Sequence, residues 1–179
     1  MMREAFRVAN APRKGPVQLN LPRDVLAGQA DFEPMQSPLT YRPISLQSAP
    51  ADSVSQAANL LSEAERPVLM VGGGIKNTSA AEIAMELAEA FNIPVVSSPG
   101  HGDAVPFGHP LNAGQMGPRG NPVASRLVKE ADVILAIGTR LGFNSTFYSY
   151  ENINKKAKII QIELEKKMLG KKMLATFSQ

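Results

Sequence analysis

The apolar residues of this chain fall into short continuous runs bounded by proline or glycine, with amphipathic stretches between them. Val68-Leu69-Met70-Val71 follows Pro67 and stops at Gly72-Gly73-Gly74, and Val95-Val96-Ser97-Ser98 follows Pro94. Ala131-Asp132-Val133-Ile134-Leu135-Ala136-Ile137 ends at Gly138-Thr139-Arg140, and Lys158-Ile159-Ile160-Gln161-Ile162-Glu163-Leu164 closes the series. Apolar runs of this length read as strands buried on both faces. Between them, Val54, Ala57, Ala58 and Leu61 share one helical face. Ile83, Leu87, Ala90 and Phe91 share another, behind a Ser79/Glu82 capping box. Asn121 followed by Pro122 marks a further helix start. Pro99 to Gly120 is polar and glycine-rich and predicts loop. Apolar strands alternating with helices predict an α/β fold, a doubly wound parallel sheet with helices on both faces.

The same patterning divides the chain. Residues 1–30 read as a short helix, a Gly15-Pro16 break, and a strand Val17-Gln18-Leu19-Asn20-Leu21 closed by Pro22. Pro34, Pro38, Pro43 and Pro50 exclude helix and remove ladder donors across residues 31–50, which predicts an extended linker. Residues 51–165 carry the alternating pattern and form the main domain. Residues 166–179 are a basic tail containing Lys166, Lys167, Lys171 and Lys172.

Composition narrows the function classes. The chain of 179 residues is long enough for one proper core. No apolar run approaches the roughly 20 residues that span a bilayer, and the N-terminus lacks the apolar segment of a secretory signal. A cytoplasmic protein without a membrane partner is the expectation. The absence of cysteine excludes disulfides, thiolate metal sites and cysteine nucleophiles. With His101 and His109 as the only histidines, a histidine-rich metal site is not expected. The net charge of +3 is modest, and lysines without interleaved aromatics do not make a nucleic-acid surface.

Candidate chemistry sits where the strands end. In open parallel sheets, ligands bind in the crevice outside the carboxyl ends of the strands. Gly72-Gly73-Gly74 can present backbone N–H groups to an anion, Ser97 and Ser98 offer hydroxyls, and Thr139 with Arg140 offers a phosphate clamp. Glu163 is placed to accept from ribose hydroxyls. Together these predict a nucleotide-type cleft. A nicotinamide dehydrogenase is argued against, because Asn77 stands where G-x-G-x-x-G needs its third glycine and Ser97-Ser98 replaces the acidic residue after the next strand. Neither a P-loop nor a G-x-S-x-G nucleophile elbow is present. His101 reads as a loop hydrogen-bonder, its adjacency to Asp103 not making a dyad, and His109-Pro110 reads as a turn.

Gly100-His101-Gly102-Asp103-Ala104-Val105-Pro106, His109-Pro110-Leu111, Gly114-Gln115-Met116-Gly117 and Gly120 together resemble the middle domain of thiamine-diphosphate-dependent enzymes of the acetolactate synthase type. Ala5-Phe6-Arg7 with Gly15-Pro16-Val17-Gln18-Leu19-Asn20-Leu21-Pro22-Arg23-Asp24 resembles the end of that family's pyrimidine-binding domain. The Gln18–Asp24 stretch, His101 with Asp103-Ala104, and Ile137-Gly138-Thr139-Arg140-Leu141 are most similar to its sulfoacetaldehyde acetyltransferase branch.

The resemblance implies a Rossmann-like middle domain at 51–165, a pyrimidine-domain remnant at 1–30, and a parent that also holds a pyrophosphate-binding domain and forms a homodimer or homotetramer. It implies thiamine diphosphate and magnesium in that parent, whose ylid attacks a carbonyl substrate and passes a two-carbon unit to an acceptor. In the sulfoacetaldehyde enzyme the acceptor is phosphate and sulfite is released. The middle domain holds FAD in acetolactate synthases, ADP in oxalyl-CoA decarboxylase, and nothing in other members. Carried over by motif, the nucleotide-contacting positions are Gly72, Gly73, Met116, Gly117, Gly138, Arg140 and Glu163.

The family's activating glutamate and its Gly-Asp-Gly…Asn metal signature are absent, and Glu165-Lys166-Lys167 replaces its usual turn after the last strand. The chain is therefore expected to be a fragment with no catalytic or metal-binding residues of its own. Two other readings differ in class: a stand-alone ADP/FAD-type nucleotide-binding module, and a scaffold domain that binds nothing.

Overall fold

A computed structural model describes all residues except 12–13, 32–33, 35–36, 41–47, 77, 143–150, 171–176 and 179. Pro43, Asn77, Lys171 and Lys172 lie outside the described residues. The chain divides into two compact units, Met1–Ser48 and Ala49–Gln179.

The second unit follows the sequence pattern closely. Its elements are α3 (Ala51–Ser62), β1 (Pro67–Val71), α4 (Ala80–Phe91), β2 (Val95–Ser97), β3 (Asn112–Gln115), α5 (Pro122–Glu130), β4 (Val133–Ile137), β5 (Lys158–Ile162) and β6 (Phe177–Ser178). The strands form one sheet in the order β3-β2-β1-β4-β5-β6, and every pairing is parallel. The order reverses between β1 and β4. Adjacent residues of each inner strand are buried on opposite faces, as a two-sided sheet requires. Leu69, Val71, Val133 and Leu135 join Ala84, Met85 and Ala88 of α4 in one cluster, with Ala57, Leu60 and Leu61 of α3 against it. Val68, Met70, Ile134 and Ala136 join Ala124 and Val128 of α5 in the other.

Three expectations are corrected here. The polar stretch at 99–120 contains β3, which pairs with β2 through a register shift between Val95 and Val96. It lacks an apolar run because its residues are only half-buried at the edge of the described sheet. The buried faces of the helices are rotated from those predicted. Val54 is 55% exposed and Ile83 and Phe91 are each 60% exposed, while alanines such as Ala84 and Ala88 face the sheet. Small side chains let a helix approach closely, and counting large apolar residues misses them. At the start of α4, the Ser79 side chain makes no cap hydrogen bond, and the Thr78 hydroxyl accepts from the Ala80 amide at 3.2 Å instead. Asn121 does cap α5, its side chain accepting from the Val123 amide at 2.8 Å.

The first unit holds α1 (Met2–Ala9), α2 (Arg23–Ala27) and a 3-10 turn at Pro38–Thr40. Residues 17–21 do not form a strand. An extended segment becomes a strand only beside a ladder partner, and the described sheet does not include this one. Val17 and Leu21 are 40% and 48% exposed, and Leu19 is half-buried.

Candidate functional site

The strand order reverses between β1 and β4, and parallel sheets bind ligands at the carboxyl ends of the strands beside such a reversal. Every predicted site residue lies on this edge of the sheet. Gly72 and Gly73 follow β1, Met116 and Gly117 follow β3, Gly138 and Arg140 follow β4, and Glu163 follows β5. From β3 to β5 is four strand spacings of about 4.8 Å, or about 19 Å, a span for an extended ligand rather than a single phosphate.

At the centre of the edge, the two glycine turns pack backbone to backbone. The Gly72 amide donates to the Ile137 carbonyl at 3.0 Å and the Gly74 amide to the Gly138 carbonyl at 2.9 Å. A Cβ on Gly72 would meet the Gly138 carbonyl oxygen and lie 2.7 Å from the Thr139 Cβ. Gly138 has φ +60°, which favours glycine. These glycines therefore close β1 against β4. The expected row of free amides is reduced, since the Gly72 and Gly74 amides are engaged and only the Gly73 amide of the three donates to no backbone carbonyl among the described residues. The turn does not open α4 either: a 3-10 turn at Gly73–Ile75 intervenes before Ala80.

Other predicted contacts are also refined. Thr139 is buried and its hydroxyl accepts from the Leu141 amide at 3.4 Å, so it does not share a clamp with Arg140. Leu141 is buried with φ +47°, a strained backbone for leucine that fixes the turn displaying the exposed Arg140. Gln161, buried within β5, donates to the Thr139 carbonyl at 3.2 Å and accepts from the Gly170 amide at 3.1 Å, bracing the same turn. Met116 is fully buried in the core, so only its backbone faces the edge, and the Gly117 amide donates to the Ser125 hydroxyl at 3.1 Å. The Glu163 carboxylate accepts from the Leu164 amide at 3.0 Å.

Sequence reasoning missed Lys76 and the place of the His101 ring. The His101 ring lies over Gly73, whose added Cβ would be 2.7, 3.1 and 3.2 Å from Cε1, Nδ1 and Nε2. His101 Nδ1 is buried without a hydrogen-bond partner among the described residues, and the residue bonds within its loop through its backbone, its amide donating to the Ser98 carbonyl at 3.1 Å. Burial, then the charges of Lys76 and Arg140, hold its pKa below the usual imidazole value, against the opposing pull of Asp103. Asp103 pairs with Lys76, whose hydrogen bond holds the carboxyl below its usual range. His101 and Asp103 thus make no dyad, as expected. The signal for Lys76 was positional: the loops after adjacent parallel strands β1 and β2 face one another. His109 forms the expected turn, with Nδ1 accepting from the Leu111 amide at 3.2 Å and Nε2 2.7 Å from Glu89.

Comparison with known proteins agrees with this architecture. Residues 54–178 match the family described as thiamine pyrophosphate enzyme, central domain. The chain belongs to the thiamine pyrophosphate enzymes, as their central domain. It is 43% identical over 159 residues to a sulfoacetaldehyde acetyltransferase of Castellaniella defragrans, covering 87% of this chain and 26% of that protein. It is 35% identical over 182 residues to a probable acetolactate synthase large subunit of Methanocaldococcus jannaschii, covering 97% of this chain and 30% of the relative. An acetolactate synthase of Mycobacterium bovis is 34% identical over 173 residues, covering 96% of the chain and 28% of the relative. The chain thus spans 26% to 30% of the length of these relatives. That pattern does not favour a stand-alone module. Among the described residues, no helix of the central domain or the preceding unit is long and apolar enough to cross a membrane.

Proposed function

We propose that this central domain is the nucleotide-holding, non-catalytic part of a thiamine pyrophosphate-dependent acyl-transferring enzyme, of the sulfoacetaldehyde acetyltransferase or acetolactate synthase kind. Thiamine diphosphate and magnesium belong to the complete, homo-oligomeric, cytoplasmic parent, where thiamine diphosphate would supply the ylid and magnesium would anchor its diphosphate. Among the described residues no three His, Asp or Glu side chains gather to hold a metal ion. In this reading the chemistry falls to the pyrimidine- and pyrophosphate-binding domains.

The observation that carries the nucleotide role is Arg140, exposed on a braced turn at the β1/β4 reversal and paired with no acid among the described residues. In this reading its guanidinium takes a diphosphate of ADP or FAD and Glu163 takes a ribose hydroxyl. The backbones of Gly73, Gly138, Met116 and Gly117 line the path, while Gly72 serves through its packing against Gly138. Calorimetric titration of the chain with ADP and with FAD tests it. Arg140→Ala should weaken binding by about 2–3 kcal/mol, on the order of thirtyfold or more, as expected for a lost charge-assisted contact. The same affinity in both forms refutes the role.

A further inference from the structure

The middle glycine of a turn after the first strand ordinarily lets a diphosphate approach the backbone. Here that space is filled. Three ring atoms of His101 stand at similar distances from the position of a Gly73 Cβ, so the imidazole lies face-on across the glycine. Two residues on, Asp103 pairs with Lys76, the cation next to the same turn.

We propose that His101-Gly102-Asp103 is a flap that occupies the chain's own cleft, with the imidazole over Gly73 and the Asp103 carboxylate standing in for a ligand's anion on Lys76. The inference rests on the nucleotide reading above. A nucleotide then gains Lys76 only by displacing Asp103, and reaches Gly73 only by moving His101.

The flap is built to move between two fixed points. Upstream, the Gly100 amide donates to the Gln115 side chain at 2.9 Å, tying the loop to β3. Downstream, Ala104 and Val105 are buried in the core. Between them Gly102 and Asp103 are exposed, and Gly100 has φ +84° with open space around it. Nothing hydrogen-bonds His101 Nδ1 among the described residues. An unpaired buried polar atom makes a seat cheap to leave, because the atom regains water on leaving. The Lys76–Asp103 pair is largely solvated on the acid's side, and such pairs are weak.

Apparent affinity is the intrinsic affinity reduced by the fraction of open cleft. Titration with ADP should therefore show tighter binding by Asp103→Asn, by up to about fivefold, and tighter binding by His101→Ala. Lys76→Met should weaken it. The Ala104 amide donates to the His101 carbonyl at 3.0 Å, and its exchange in the unmodified chain should speed up when ADP is saturating. If Arg140→Ala loses binding while Asp103→Asn and His101→Ala bind no more tightly, and exchange at Ala104 does not rise, the flap is overturned and the nucleotide reading stands. Binding by none of these forms overturns both.

Discussion

At the scale of single residues, the site is a contest among four titratable groups on three loops. His101 is pressed towards its neutral form by burial, by Lys76 from the loop after β1 and by Arg140 from the loop after β4, with Asp103 opposing. An imidazole whose folded pKa is depressed contributes stability above the usual value of about 6.5. That contribution is lost as the pH falls from there through the folded value, because the open form takes the proton first. In an NMR titration His101 should have its midpoint below about 6.5. Lys76→Met should raise that midpoint and Asp103→Asn should lower it. A midpoint at or above the ordinary value, or the opposite signs, contradicts the geometry. That Gly72, Gly138 and Arg140 follow strand ends was legible in the sequence because glycine closes the apolar runs of β1 and β4. The imidazole over Gly73 was not, since a contact between positions 73 and 101 leaves no local pattern.

At the scale of elements, strands buried on both faces were legible, whereas β3 and the helix faces were not. A continuous apolar run identifies an inner strand such as β4, but Asn112-Ala113-Gly114-Gln115 is half-buried and pairs by its backbone. Ala84 and Ala88 seat α4 on the sheet, while Ile83 and Phe91 point away. Ile83→Ser and Phe91→Ser should each cost less than about 1 kcal/mol in denaturant unfolding, whereas Ala88→Leu should cost about 1–3 kcal/mol by overpacking. Equal costs would return α4 to its predicted face. Asp132, read at first as part of a strand, is instead a clip between strand starts. Its carboxylate accepts from the Glu65 and Arg66 amides at 2.7 and 2.9 Å. Burial works to raise its pKa, and these amides override it and hold the group low. Asp132→Ala should destabilise the sheet by about 1–2 kcal/mol. An unchanged denaturation midpoint would show that the clip contributes nothing.

At the scale of the whole molecule, the two units differ in how they are built. The second has two continuous apolar clusters around one sheet, and the first has α1 and α2 without a buried side chain. Amides at 15–22 should exchange with solvent rapidly while those of β1 and β4 are protected; protection at 15–22 in a dilute monomer would overturn this reading of the first unit. The relatives extend well beyond the matched region. The central claim, that this chain is one domain of a larger catalyst, is tested most directly by sequencing the DNA on both sides of its reading frame. The account predicts an open frame in both directions, with a glutamate-bearing pyrimidine domain upstream and a Gly-Asp-Gly…Asn segment downstream. Stop codons immediately on both sides, or unrelated domains there, would contradict it.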